Sequence, residues 1–185
     1  MLRTSKSRLL PAVAALTLAV SGCGGDDDKN AATDAKGAYN QTDAAFVASM
    51  IHHHEGGVEL GKLAAEKGVD PRVKQLGEGI VEEQAKEIKT LERLLRETKA
   101  PNIMPAAIAE RDKADMMALD AASGAMFDEL WLDVISAHHS AAIQMAEIEK
   151  RAGKLPEAKQ LSESITKSQS AELTRFNALL AKMKS

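Results

Sequence analysis

From about residue 41 onward, apolar and polar positions recur with a helical period, and they do so twice. Phe46, Met50, His53, Gly57, Leu60 and Ala64 fall at alternating steps of four and three, the spacing of one helix face. Gly68-Val69-Asp70-Pro71 interrupts this run, with a glycine suited to a helix end and a proline suited to the first turn of the next helix. A second face follows at Leu76, Ile80, Gln84, Glu87 or Ile88, Leu91 and Leu94. The same sentence is then written again. Trp131, Ile135, His138, Ala142 and Met145 make a third face, Gly153 to Pro156 a second break, and Leu161, Ile165, Gln169, Glu172 or Leu173, Phe176 and Leu180 a fourth. Thr98 to Pro105, with prolines at 101 and 105, predicts a crossover, and residues 106–120 a short helix before the Ala-Ala-Ser-Gly break at 121–124.

Shifting the chain against itself by 85 residues aligns 46–95 with 131–180 without a gap, and 13 of the 50 pairs are identical. They include His53/His138, His54/His139, Gly68/Gly153, Pro71/Pro156, Gln84/Gln169 and Glu87/Glu172. A repeat of this length fixes the architecture ahead of any propensity: an all-α fold, a four-helix bundle made of two repeated helical hairpins. Composition agrees, since aromatic residues are only 3% of 185 while apolar residues reach 44%, too few rings and branched side chains for a sheet core. The formal net charge of −3 offers no basic surface for nucleic acid.

Ahead of the helices the chain reads as an address. Arg3, Lys6 and Arg8 precede an apolar run from Leu9 to Val20, too short to span a membrane comfortably and ending in Val20-Ser21-Gly22-Cys23. Residues 1–22 are expected to be a lipoprotein signal peptide and Cys23 the acylated first residue of the mature chain, anchored to the outer side of a bacterial membrane. Removal of three positive charges takes the net charge from −3 to −6. Residues 23–40, small and polar with three consecutive aspartates, read as a flexible tether before a bundle over 41–185. Cys23 is the one cysteine in the sequence, so a metal site would use His, Met, Asp, Glu or backbone.

Four of the five histidines interrupt apolar faces at matching places of the two repeats. Buried polar groups cost stability unless they are satisfied, so their partners matter. In an antiparallel hairpin, residues equidistant from the turn share a height. With the first turn centred at 69.5, positions 86 and 85 face His53 and His54, bracketed by Gln84 and Glu87. With the second centred at 154.5, positions 171 and 170 face His138 and His139, bracketed by Gln169 and Glu172. Both sets lie near mid-helix and can converge in the bundle core, as one site or two.

Imidazole suits copper, zinc, iron and nickel, and thioether sulfur adds a preference for Cu(I). His53, His54, His138 and His139 are therefore expected to bind a metal, copper first and zinc as the alternative. Met50, three and four residues before His53 and His54, lies on their face and can share an ion with them. Met145, seven residues after His138, is about 10 Å further along the helix, which suggests a second site or a core role. Glu87 and Glu172 are placed either as ligands or as holders of a histidine ring, with Gln84 and Gln169 behind them. His52, matched by Ala137, reads as a surface neighbour, and Met104, Met116, Met117 and Met126 as core or loop residues of the crossover. A di-iron oxidase would need Glu-x-x-His on two helices, and neither His pair has that spacing. A haem site of one His and one Met would leave the second set unexplained. No nucleophile, phosphate loop or acid–base dyad stands out, so no enzyme activity is expected.

The segments Phe46-Val-Ala-Ser-Met-Ile-His-His53-His54-Glu-Gly-Gly-Val58 and Phe127-Asp-Glu-Leu-Trp131 through His138-His139 to Met145-Ala146 resemble the domain of unknown function 305 family, as do Ile80 to Ile88 and Ile165 to Leu173. The resemblance covers residues 41–183 or so. It implies a ferritin-like four-helix bundle, exported or lipid-anchored in bacteria, with some members binding copper and associated with copper resistance. The family pattern has Met before and after each His pair. Here Met50 and Met145 keep two of those places, while Ile135 and Leu60 fill the others, which leaves Cu(II) and zinc open beside Cu(I). The expected function is metal binding for sequestration, tolerance or delivery to a protein partner, with the oligomeric state open. The alternative is a non-catalytic envelope interaction or stress module whose buried His, Gln and Glu network only fixes packing register.

Overall fold

The computed structural model describes residues 39–102 and 106–184. The expected leader, Cys23, nearly all of the tether and Met104 lie outside the described residues. Five helices follow in order: α1 (Gln41–Lys67), α2 (Pro71–Thr98), α3 (Ala106–Ala121), α4 (Gly124–Ala152) and α5 (Pro156–Met183). The four long helices are the two hairpins expected from the repeat, and α3 is the short crossover helix. None of the described helices is long and apolar enough to cross a membrane.

Each start and stop has a local cause. Asn40 and Asp43 form a reciprocal capping box at the head of α1. The Asp70 side chain accepts from Arg72 N ahead of Pro71 at the head of α2, and Pro156 opens α5. Gly124 opens α4 at φ +61°, a left-handed conformation that favours glycine. Gly68 and Gly153 have φ of −54° and −67°, so left-handed geometry is not why they close α1 and α4. Close approach is the reason. A Cβ on Gly68 would lie 2.6 Å from Ala64 O, and one on Gly153 would lie 2.7 Å from Glu149 O.

Helix α1 pairs with α2 and α4 with α5, and the hairpins join through α1 against α4, whereas α2 and α5 scarcely touch. Asn40 Nδ2 donates to Ala152 O at one end and Trp131 Nε1 donates to Leu60 O further along, so α1 and α4 run antiparallel. The junction is pinned at both ends by the same device. Buried Asp43 accepts backbone N–H bonds from Lys154 and Leu155 in the second hairpin's turn. Buried Asp128 accepts them from Val69 and Asp70 in the first hairpin's turn. Asp43/Asp128 and the two turns obey the same 85-residue offset as the repeat.

Apolar burial falls on both sides of the histidines. Leu60, Val73, Ile80, Leu119, Phe127, Trp131 and Phe176 form one cluster, and Phe46, Met50, Ile51, Leu91, Leu94 and Ile165 the other. In α2 the inward residues are Val73 and Gly77 as well as Ile80 and Gln84, while the expected Leu76 is half-buried. Gly77 and Gly61 let the two helices meet there, since a Cβ on Gly77 would lie 2.5 Å from Gly61 O. Helix α3 lies against α1 and α4, anchored by buried Leu119 and by Lys67 Nζ, which donates to Leu119 O and Asp120 O at 2.8 and 3.0 Å.

Candidate metal centre

Two apolar clusters with an α1/α4 seam between them leave the middle of the bundle to the histidines. The rings of His53 and His138 meet across that seam with centroids 3.8 Å apart and planes tilted by 39°. His54 lies 6.4 Å from His53 and His139 lies 6.3 Å from His138, so the repeated pairs form one cluster. All four rings are buried, at 4% exposure or less.

Adjacent residues on a helix point about 100° apart, and the two members of each pair divide accordingly. His53 and His138 face the other hairpin. His54 and His139 turn towards the second helix of their own hairpin, where Nε2 of each meets a carboxylate: Glu87 Oε2 at 2.7 Å and Glu172 Oε2 at 2.8 Å. A carboxylate only accepts, so Nε2 is the protonated nitrogen of both rings. Glu87 and Glu172 thus stand as ring holders, which fixes ring orientation and tautomer. The pairing also refines the expected register: His54 with Glu87 and His139 with Glu172 centre the hairpins one residue later than the turn midpoints imply. Gln84 and Gln169 are buried one helical turn away, and a Cβ on Gly57 would lie 2.1 Å from Gln84 Oε1.

Five ring nitrogens are left over. His53 Nδ1, His54 Nδ1, His139 Nδ1 and both nitrogens of His138 are buried without a hydrogen-bond partner. Burial, then His54, His139 and Arg111 nearby, push the His53 imidazole down to about 3. Burial and the surrounding histidines push His138 well below the ordinary histidine range. Both are neutral near pH 7 and keep a lone pair for a Lewis acid.

A cavity of about 270 Å³ opens on this cluster beneath α3, lined by His53, His138, Met145, Ile108, Arg111 and Asp112 among others. It runs lengthwise along the α4 face carrying His138, Ala141 and Met145. Met145, expected to be too distant to join His138, therefore borders the same space. Met50, expected to share an ion with its neighbours on α1, is fully buried in the apolar cluster of Phe46 and Leu91, and is not among the cavity's lining residues. Among the described residues no three His, Cys, Asp or Glu side chains converge closely enough to share a metal ion. The site is a histidine pair with a thioether beside it.

Sequence reasoning missed Arg111 and Asp112, because α3 has no counterpart in the repeat. Burial and then Asp115 push the Asp112 carboxyl up to about 6, against the opposing Arg111. It missed Asp43 and Asp128 because the aligned window begins three residues after them, although the offset is the same. Glu149, buried against the Asp43 carboxylate, has no acidic equivalent in the first repeat, its counterpart being Ala64.

An antiparallel pair of helical hairpins that closes a histidine cluster along its internal two-fold seam is the class of protein defined so far. The family profile described as Domain of unknown function (DUF305) matches residues 19–95 and 43–180, and the chain belongs to that family. CopM in its Cu(I)-bound form is similar in structure, with 27% sequence identity, a TM-score of 0.69, and coverage of 79% of this chain and 100% of that one. CopM in an Ag-bound form aligns at 26% identity and a TM-score of 0.64, covering 76% of this chain and 95% of that one. A DUF305 fragment from Deinococcus radiodurans shares the fold at 20% identity and a TM-score of 0.70, with coverage of 77% and 97%. No functionally curated protein matches the chain.

Proposed function

We propose that the protein binds copper outside the cytoplasm, as Cu(I), through His53 and His138 with Met145 alongside, and that it acts by binding and not by catalysis. His54 and His139, held by Glu87 and Glu172, supply two further lone pairs at the edge of the cluster. The observation that carries this reading is the set of five buried, unpartnered ring nitrogens in one cluster. Each unsatisfied buried polar group costs roughly 1–3 kcal/mol, so a fold that keeps five together needs something that satisfies them. A soft cation satisfies the lone pairs among them, one for each neutral ring, while the second nitrogen of His138 carries the ring proton.

The shape of the site separates the candidate ions. Zinc takes four ligands in structural sites and three protein ligands in catalytic ones. Two imidazoles and a thioether make a smaller, softer set, which favours Cu(I) and Ag(I). The similarity to CopM, structures of which hold Cu(I), Cu(II) and Ag, supports copper as the metal. Export through residues 1–22 and acylation at Cys23 would hold the bundle at the membrane surface, where it sequesters the ion, confers tolerance or passes the ion to a protein partner.

Competition titration of the purified protein with Cu(I), Cu(II) and Zn(II) tests the reading, beside a variant with His53, His54, His138 and His139 changed to Ala and a milder Met145→Leu variant. The expected result is tightest binding of Cu(I), lost in the histidine variant and weakened in Met145→Leu. Binding no tighter than that of a surface histidine, or binding untouched by either variant, would overturn it and leave the histidines as a structural network.

A further inference from the structure

Helix α3 does more than link the hairpins, because Asp112 borders two cavities at once. The inner one is the 270 Å³ space against His53, His138 and Met145. The outer one, of about 370 Å³, is lined by His52, Glu55, Glu59 and Lys62. Of their described lining residues, Asp112 is the one the two share. Resting on the copper reading above, we propose that Asp112 is the carboxylate through which a soft cation passes from the acidic outer cavity to the histidine pair.

The chemistry of the two spaces fits that direction of travel. Three carboxylates, Glu55, Glu59 and Asp112, face a single lysine in the outer cavity, which concentrates cations at its mouth. His52 Nδ1 meets Glu55 Oε2 at 2.9 Å, while His52 Nε2 is buried there without a partner and offers a first soft donor. The inner cavity is electrostatically the harder step. Arg111 lines it, with its nearest acidic partner Asp115 at 3.7 Å, and Asp112 is the carboxylate among its lining residues. A cation arriving there meets Arg111 unless Asp112 offsets it.

The chain also makes room for Asp112 to stand in this place. A Cβ on Gly56 would lie 2.8 Å from Asp112 Oδ2 and 3.2 Å from its Cγ. The corresponding position of the second repeat is Ala141, so the glycine occurs on the side where the carboxylate approaches α1. Met145 and the histidine pair line the same inner cavity as Asp112 and supply the nitrogen and sulfur donors that would replace its oxygen.

Stopped-flow loading of the full chain with Ag(I), a redox-stable stand-in for Cu(I), followed through the single tryptophan Trp131, tests this step. Asp112→Asn should lower the association rate by at least about tenfold without raising the dissociation rate, and Asp112→Glu should recover most of the loss. Glu92→Gln, an exposed change on α2, is the control for general surface charge and should leave both rates alone. An unchanged association rate in Asp112→Asn would overturn the proposal while the copper reading stands. A raised dissociation rate with normal association would also overturn it, making Asp112 a ligand. Wild-type protein that binds no Ag(I) at all would fail the copper reading itself. Far-UV circular dichroism establishes that each variant is folded.

Discussion

Glu87 and Glu172 each hold one histidine ring by Nε2, and this decides what substitutions at the site should do. Glu87→Ala frees the His54 ring, which stands at the edge of the cluster and not among the ligands His53, His138 and Met145. In a competition titration copper affinity should therefore fall by less than the roughly 10-fold that losing the holder of a ligating ring costs. Met50→Leu should leave affinity nearly unchanged, because Met50 packs among Leu91, Leu94 and Ala142 away from the cavity. The second residue-scale effect concerns Glu149. Burial, then the Asp43 carboxylate beside it, push its pKa from 4.5 up to about 8. A carboxyl raised on folding contributes stability that is complete below its unfolded value and is lost as pH rises through the folded one. His53, with a folded value of about 3 against 6.5, acts in the opposite sense and only on the acid side of 6.5. The melting temperature should therefore decline between about pH 6.5 and pH 8, and Glu149→Gln should flatten that decline. Thermal unfolding by circular dichroism across this range measures both.

The helices themselves were legible, because apolar spacing, the two Gly-to-Pro breaks and the prolines of the crossover are all local signals. What the spacing could not fix was rotation about each helix axis by part of a turn. Val73 and Gly77 face inward where Leu76 was expected, because the α1–α2 contact is set by backbone approach at Gly61 and Gly77 and not by the largest apolar side chain. A propensity argument sees glycine there as a cost; packing makes it a requirement. Gly77→Ala would drive a Cβ to 2.5 Å from Gly61 O, a backbone atom that cannot step aside unless the helices spread. Overpacking of this kind costs about 1–3 kcal/mol. It should lower the melting temperature by about 5 °C in a chain of this size, whereas Gly79→Ala, with nothing within 4 Å, should not lower it.

At the scale of the whole molecule the repeat carried the most information. Its offset predicted two hairpins with matched His, Gln and Glu, and the same offset extends to Asp43 and Asp128, which lock each hairpin onto the other's turn. Whether the matched sets would merge was not legible, since it depends on the α1–α4 crossing, a contact between residues about 85 apart. The merger also sorts the methionines: Met145 reaches the shared cavity because α4 turns that face towards α3, and Met50 faces the core. The two copies are not equivalent, for only one side carries α3 with Arg111 and Asp112. X-ray absorption at the copper edge of the Cu(I)-loaded protein tests the central claim most directly. A first shell of imidazole nitrogens with one sulfur, the sulfur lost in Met145→Leu and the nitrogens lost in a His53→Ala, His138→Ala double variant, is the predicted result. A shell that is the same in wild type and both variants would contradict it.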